Sequence, residues 1–529
     1  MSNVNKIVIV GGGSAGWMSA ATLIKHFPNK EIHVIESPNV PTVGVGESTI
    51  GQINEWLHDL DIKDDDWMKQ CDASYKMSIK FTNFYKEDAG AFHYPFGLPT
   101  FEGKYFPYGV NDWYVRKSVH PEIPVSNFAD TYFPAMTLIN KNKITDNKNN
   151  EIPGWNFDRD VAYHFDAAKF GAWLRDSYAV PKGVTHIPAE VTSIQTNSEG
   201  VEHLVLDNGD KVTADLFLDC TGFKSIILDK TMKVPFESYS DLLPNNSAWA
   251  TRIPFQDKEK ELEPFTNCTA IGNGWVWNIP LWSRVGTGYV YSDEYISDQD
   301  ALEEFKEYLQ KEREVPIPKS VIDSLEFKNI KMRVGIHKEI YHKNVCGIGL
   351  AAGFIEPLES NGLYTVHEFL LKLVAILNRN SVSQFDKTAF NEGCRGDFRA
   401  FAEFVALHYA MSHRDQTPYW QAVQHRVFPK TMQLGVYATY GIDSLIHRKF
   451  VSHLYDMDMG GTLMIATGMN LFPFDSSLLK RTLFRNSNTE YLTYLQDVCW
   501  HKWDTDLAQR NEFADSAPTL YQYLKSKYD

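Results

Sequence analysis

Two stretches of this 529-residue chain combine residue types and spacings suited to holding a large anionic ligand. The first is Gly11-Gly-Gly-Ser-Ala-Gly16, a G-x-G-x-x-G pattern. Gly11 suits a tight turn, Gly13 lets a pyrophosphate approach the backbone, and Gly16 lets a helix pack closely on a strand. A helix starting at Ser14 and Ala15 adds free N–H groups and a positive dipole end, with the Ser14 hydroxyl expected to face phosphate. Glu36 then supplies a carboxylate for two ribose hydroxyls. Residues 12–16 also fit the G-x-S-x-G elbow of hydrolases, but that reading gives Glu36 no role. The second stretch, residues 344–362, runs from an apolar strand through a glycine-bearing loop containing Leu350 into a helix from Leu363. Backbone amides at such a helix start can hold an anion or the polar edge of a ring ligand. A shorter loop, residues 41–50, contains Val45 and Ser48 among small residues and reads as backbone pressed against a ligand, with Ser48 and Thr49 able to cap a following helix.

The elements that must position these loops follow from hydrophobic period. Ile7, Val8, Ile9 and Val10 are continuously apolar and β-branched, as in a strand buried on both faces of a parallel sheet. Helical spacing takes over at residues 14–26, and a second strand at 31–35 ends at Glu36. Residues 75–84 alternate, with Met77, Ile79 and Phe81 on one face and Ser78, Lys80 and Thr82 on the other. Taken alone, Lys80 reads as part of a solvated strand face. Asp166 is placed to cap a helix, residues 215–222 form another buried strand, and residues 272–280 and 286–292 read as a hairpin in which Trp275 and Trp277 share a face. Residues 87–160 show little period, and the Lys- and Asn-rich segment 141–150 is expected to be a solvated excursion. Beyond residue 364 the pattern is mainly helical, which divides the chain into a cofactor module at 1–378 and a helical substrate-side region at 379–529.

Composition narrows the function classes. The net charge is −15 without basic clusters, which argues against nucleic acid or anionic membranes as partners. No run is long and apolar enough to cross a bilayer, and the chain enters its first strand with no room for a signal peptide. Six scattered cysteines contain no C-x-x-C pair, so a disulfide framework and a zinc site are both disfavoured and a reducing cytoplasm is the simplest compartment. His408 and His413, and the His367-Glu368 pair, read as ordinary helix residues.

With these stretches in view, the chain resembles the flavin-dependent halogenases of the tryptophan halogenase type. The resemblance rests on Trp275-Val-Trp-Asn-Ile-Pro280, a W-x-W-x-I-P signature; on Gly44-Val-Gly-Glu-Ser-Thr49; on Ile79-Lys80-Phe81; and on Phe354-Ile-Glu-Pro-Leu-Glu-Ser360. It spans residues 7 to about 365 and implies an α/β fold: a Rossmann-like flavoprotein monooxygenase fold binding FAD, with a β-sheet insert and a helical C-terminal region. It also implies a reaction. Reduced FAD, delivered by a separate flavin reductase, would react with O₂ and a halide (chloride, bromide or iodide) to give hypohalous acid. That oxidant would travel to a lysine beside a small aromatic substrate. By position the lysine would be Lys80 and the assisting carboxylate Glu359, with Asn361 and Gly362 amides as halide contacts and Trp275 and Trp277 keeping substrate away from the flavin. Gly11, Gly13, Ser14, Ala15, Gly16, Glu36, Val45, Ser48 and Leu350 would contact the cofactor, and a homodimer is compatible with this reading.

Departures from the family pattern shape the expected substrate. Asn361 stands where the family usually has threonine. His93-Tyr94-Pro95-Phe96 replaces Tyr-His-Pro-Phe, so Tyr94, Pro95 and Phe96 are expected beside the substrate ring. The paired tyrosines followed by Glu and Phe-Trp, with which tryptophan halogenases grip the free amino acid, are not found. An indole or another electron-rich aromatic therefore fits better than free tryptophan. An aromatic hydroxylase and an inactive flavin-binding protein are the competing readings.

Overall fold

The computed structural model describes residues 4–40, 46–99, 110–379, 381–425, 457–470 and 493–529. A six-stranded sheet contains the first strand, Lys6–Val10, between Glu31–Glu36 and Leu216–Asp219. Five strands run parallel, from Val345–Gly347 through Leu216–Asp219, Lys6–Val10 and Glu31–Glu36 to Thr185–Pro188, and Tyr341–His342 adds an antiparallel edge. The continuous apolar run has its physical reason here: Ile7, Val8 and Ile9 are each wholly buried, covered on both faces. The helix Ser14–His26 crosses one face and buries Trp17, Met18, Ala20, Ala21 and Leu23.

A second, seven-stranded sheet joins the halves of the molecule. Its order is Lys328–Lys331, Ser247–Ile253, Val285–Tyr291, Gly274–Pro280, Phe265–Ile271, Ser78–Thr82 and Ala91–Pro95. Residues 274–280 and 285–291 pair antiparallel as the hairpin requires, with Trp275 opposite Val290 and Trp277 opposite Gly288. The bulk of Trp277 is accommodated because Gly288 has no Cβ; one built there would sit 2.2 Å from the indole. A three-stranded sheet, Glu47–Ser48, Ala162–Phe165 and Ser74–Lys76, lies beside it and delivers the chain to Ser78–Thr82.

The helices Gly362–Leu377 and Gln384–Ala410 lie on either side of the expected boundary at residue 378, and a single hydrophobic cluster draws residues from both, including Leu370, Leu373, Phe398 and Val405. Two expectations are corrected. The segment 141–150 is only partly a solvated excursion: Lys148, Asn149 and Asn150 are exposed, but Ile144 is wholly buried, Lys143 bridges Thr519, and the Lys141 ammonium reaches Asp515, so the C-terminal helices clasp its first part. Residues 48–49 do not cap a helix; Ser48 lies in a strand, and the next helix, Ile53–Asp59, starts after Gln52.

Candidate functional site

The first loop has the geometry a dinucleotide needs. Gly11 has φ +115° and a Cβ there would meet the Cys220 carbonyl oxygen at 2.3 Å; a Cβ on Gly16 would meet the Gly11 oxygen at 1.9 Å. Gly13 has no atom within 4 Å of where its Cβ would be, an open face beside the helix start. Glu36 stands against Gly12 and is held by Arg175 at 3.2 Å and His186 at 2.9 Å. Leu350 is 40% exposed on a short turn whose Gly349 approaches Ala15, so the two glycine-bearing loops meet. These open glycine faces and the flanking acid fit FAD. Ser14 is a correction: its hydroxyl donates to the Ala167 carbonyl at 3.1 Å, which leaves its backbone N–H, rather than its side chain, for phosphate. Ser48 is buried, its hydroxyl 2.7 Å from Thr266 Oγ1 and 3.1 Å from Ser360 Oγ. Val45 lies outside the described residues.

A cavity of about 670 Å³ opens beside the second loop. Tyr94, Pro95 and Phe96 form one wall, Phe401 and Phe404 another, and Glu359 is exposed to it by only 2% of its surface. The strand Ala91–Pro95 explains the exchange of neighbours: Tyr94 lines the cavity while His93 turns to the other side, its Nδ1 2.9 Å from Ser78 Oγ. Burial holds the His93 imidazole down at about 3, so it is neutral.

The lysine beside the turn that carries Glu359 is Lys76, while Lys80 lies elsewhere. Lys80 ends 3.7 Å from Glu314, whose side chain is 73% exposed, and over the Phe265 ring at 5.3 Å. Lys76 is wholly buried; its ammonium donates to Ser360 Oγ at 2.7 Å and to the Thr49 carbonyl at 2.8 Å, and lies 5.0 Å from the centre of the Phe96 ring. Burial pushes its pKa down to about 7, against the opposing pull of Cys268, Glu359 and Glu47. The two lysines are four residues apart on strands that the chain breaks at Met77, whose N–H donates to Pro264. Lys76 therefore follows the inner sheet, and the alternation read across 75–84 does not extend to it. A lysine at an inward position between Tyr75 and Met77 was the available signal.

Ser360 adopts φ +57°, and this left-handed turn starts the helix Gly362–Leu377. The Asn361 and Gly362 amides fall at that start, where an anion is favoured. Gly362 packs closely there: a Cβ would come within 3.2 Å of Glu47 Oε1, so a larger residue would push that carboxyl aside. Burial raises the Glu47 carboxyl to about 7. Neither Trp275 nor Trp277 belongs to the described cavity wall; their rings lie 6.2 Å apart, and Trp275 donates its indole N–H to Glu356 at 2.9 Å. His408, read from sequence as an ordinary helix residue, is wholly buried with Nε2 2.8 Å from Glu359 Oε1. Among the described residues no cluster could hold a metal ion, and all six cysteines are free and buried.

Known proteins resemble this chain over most of its length. Residues 6–473 match the family model described as tryptophan halogenase. Tryptophan 6-halogenase SttH of Streptomyces toxytricini is 31% identical over 452 residues, covering 81% of this chain and 83% of that protein. The structure described as VirX1 in its apo form superposes with a TM-score of 0.89 at 38% identity, covering 99% of both chains. BrvH, a flavin-dependent halogenase from Brevundimonas sp. BAL3, superposes at 0.81 with 27% identity, again over 99% of each chain.

Proposed function

Because the chain belongs to the tryptophan halogenase family of flavin-dependent halogenases, we propose that it halogenates an electron-rich, indole-type aromatic held between Phe96 and Phe404, with Lys76 and Glu359 at the reacting atoms. The observation that carries this reading is the Lys76–Ser360 hydrogen bond, which brings a buried ammonium to the residue next to Glu359 at the cavity floor. FAD, reduced by a separate reductase, would supply the reducing equivalents with which O₂ and halide give hypohalous acid. Gly11, Gly13, Gly16 and the Ser14 and Ala15 amides hold its pyrophosphate, Glu36 its ribose, and the Asn361 and Gly362 amides the halide.

Lys76 spends two N–H bonds on Ser360 and Thr49 and keeps a third for the oxygen of hypohalous acid. Donation to that oxygen draws electrons from the halogen and makes it a stronger electrophile, and the low dielectric of the site strengthens the effect. An arginine would not fit: its planar fork is broader than the point charge the two acceptors enclose. Glu359 takes the proton that leaves the halogenated ring carbon. The region beyond residue 379 contributes Phe401 and Phe404 to the substrate wall. Bromide and iodide suit the site at least as well as chloride, because heavier halides are easier to oxidise. Its sequence lacks the paired-tyrosine grip for a free amino acid, which favours indole over tryptophan, and its free cysteines suit the cytoplasm.

Incubation with FAD, a flavin reductase, NADH, each halide in turn and indole tests the proposal. Mass spectra should show halide-dependent products with the isotope pattern of the halide supplied. Hydroxylated product alone, formed regardless of halide, would refute it.

A further inference from the structure

The long helix Gln384–Ala410 ends over the turn that carries Glu359, and two consecutive residues there meet two acids of that turn. His408 Nε2 lies 2.8 Å from Glu359 Oε1, and the Tyr409 hydroxyl donates to Glu356 Oε2 at 2.7 Å. All four side chains are at most 2% exposed. Glu356 Oε2 also accepts from Asn245 Nδ2 at 2.8 Å and Trp275 Nε1 at 2.9 Å. Three donors on one carboxyl oxygen tie the helix end, the Trp275 strand and the 355–362 turn into one unit. The position of His408 is thereby fixed relative to Glu359.

The orientation of the imidazole has a chemical consequence. Its Nδ1 lies 3.1 Å from the Val405 carbonyl oxygen and 3.3 Å from that of Phe404. Carbonyl oxygens only accept, so Nδ1 carries a hydrogen and Nε2 is the nitrogen left to exchange a proton with Glu359. Phe81, Phe84 and Phe404 pack around the ring at centroid distances of 4.8, 6.3 and 5.6 Å. The charged groups facing it are Glu359 by contact and Glu356 through its field. Nε2 and Oε1 are at contact distance without the alignment of a hydrogen bond, as catalytic pairs often are before substrate binds.

We propose that His408 is a positioning residue for Glu359 and takes over the proton that Glu359 removes from the substrate ring. The inference rests on Glu359 facing the substrate as described above. The C–H electron pair of the halogenated ring carbon returns to the aromatic ring, and the proton forms an O–H bond on Glu359. That O–H bond then breaks toward Nε2, whose lone pair forms the new N–H bond, while Nδ1–H stays on its carbonyls. Glu359 is returned to its carboxylate form beside an imidazolium, and no oxidant or further reactant is consumed.

The test uses the full-length enzyme with FAD, a reductase, bromide and indole, in His408→Asn and His408→Gln variants. Hypobromous acid, trapped by a reactive diketone, should form within about twofold of the native rate. Bromination of indole should lose on the order of 10²-fold in kcat with KM little changed. Perdeuterated indole should show a primary isotope effect in the variants that the native enzyme lacks, because deprotonation becomes the slow step. Unchanged bromination, or a loss without an emerging isotope effect, would overturn the proposal. If neither variant folds, ¹⁵N-histidine spectra of the native chain decide it. The imidazole whose signals move in Glu359→Gln should carry its hydrogen on Nδ1, and hydrogen on Nε2 alone would overturn the assignment. A native enzyme that makes hypobromous acid but brominates no aromatic would instead refute the role given to Glu359.

Discussion

Lys76 and Lys80 differ by one strand turn in sequence and by their whole environment in the fold, so substituting each separately gives the sharpest test of the site. Lys76→Ala removes a buried, charge-assisted donor to Ser360 and the Thr49 carbonyl. Loss of one preorganised donor to a reacting oxygen costs about 10²–10³ in kcat, roughly 3–4 kcal/mol. Lys80→Ala removes a partner of Glu314 across 3.7 Å, and Glu314 is 73% exposed. Solvent screens such a pair, so its loss amounts to less than about 1 kcal/mol of stability and nothing in the chemical step. The assay reads two rates on the same sample: trapped hypohalous acid and halogenated indole by mass spectrometry. Lys76→Ala should keep the first and lose the second, with Lys76→Met as a control for volume and flavin binding as a control for folding. Lys80→Ala should keep both. Halogenation surviving in Lys76→Ala within tenfold of the native rate, or vanishing in Lys80→Ala with hypohalous acid still formed, would refute the assignment.

Four further outcomes are expected. With the Lys76 pKa pushed down to about 7, its donating form is lost as pH rises through that value, so halogenation per hypohalous acid formed should fall up to tenfold per unit above it; a rise instead would mean that the free amine is the halogenated species. The same depression means that the unfolded chain binds more protons than the folded one from about pH 7 to about 10.4, so stability attributable to Lys76 should grow with pH across that window by at most about 1.4 kcal/mol per unit, read as the difference from Lys76→Met in urea unfolding. Gly13→Ala fills an open face and should weaken FAD binding without lowering Tm, whereas Gly16→Ala forces a Cβ onto the Gly11 oxygen at 1.9 Å and should lower both. Trp275→Phe keeps an aromatic ring but leaves a small cavity and takes one of three donors from buried Glu356, which together should cost at least about 1–3 kcal/mol in chemical denaturation while leaving the flavin site intact.

The nucleotide half was legible because one local cause sets each feature. Uniform β-branched residues make the buried strand, Gly11 must take φ +115°, and the acid ends the next strand. The hairpin of Trp275 and Trp277 was legible for the same reason, since a period of two decides which residues share a face. The choice of lysine was not local. Lys76 and Lys80 are both polar residues in an alternating stretch, and only the crossing from the three-stranded sheet to the seven-stranded one buries the first and leaves the second near solvent. His408 was hidden for a stronger reason: its partner is 49 positions away, and nothing in the helical period of 384–410 separates a histidine that packs from one that meets a carboxylate. The glycine loop proposed for the cofactor is thus built from residues adjacent in sequence, while Lys76, Glu359 and His408 are brought together by three separate elements. A change in how the Gln384–Ala410 helix docks would leave the glycine loop as it is and still separate His408 from Glu359.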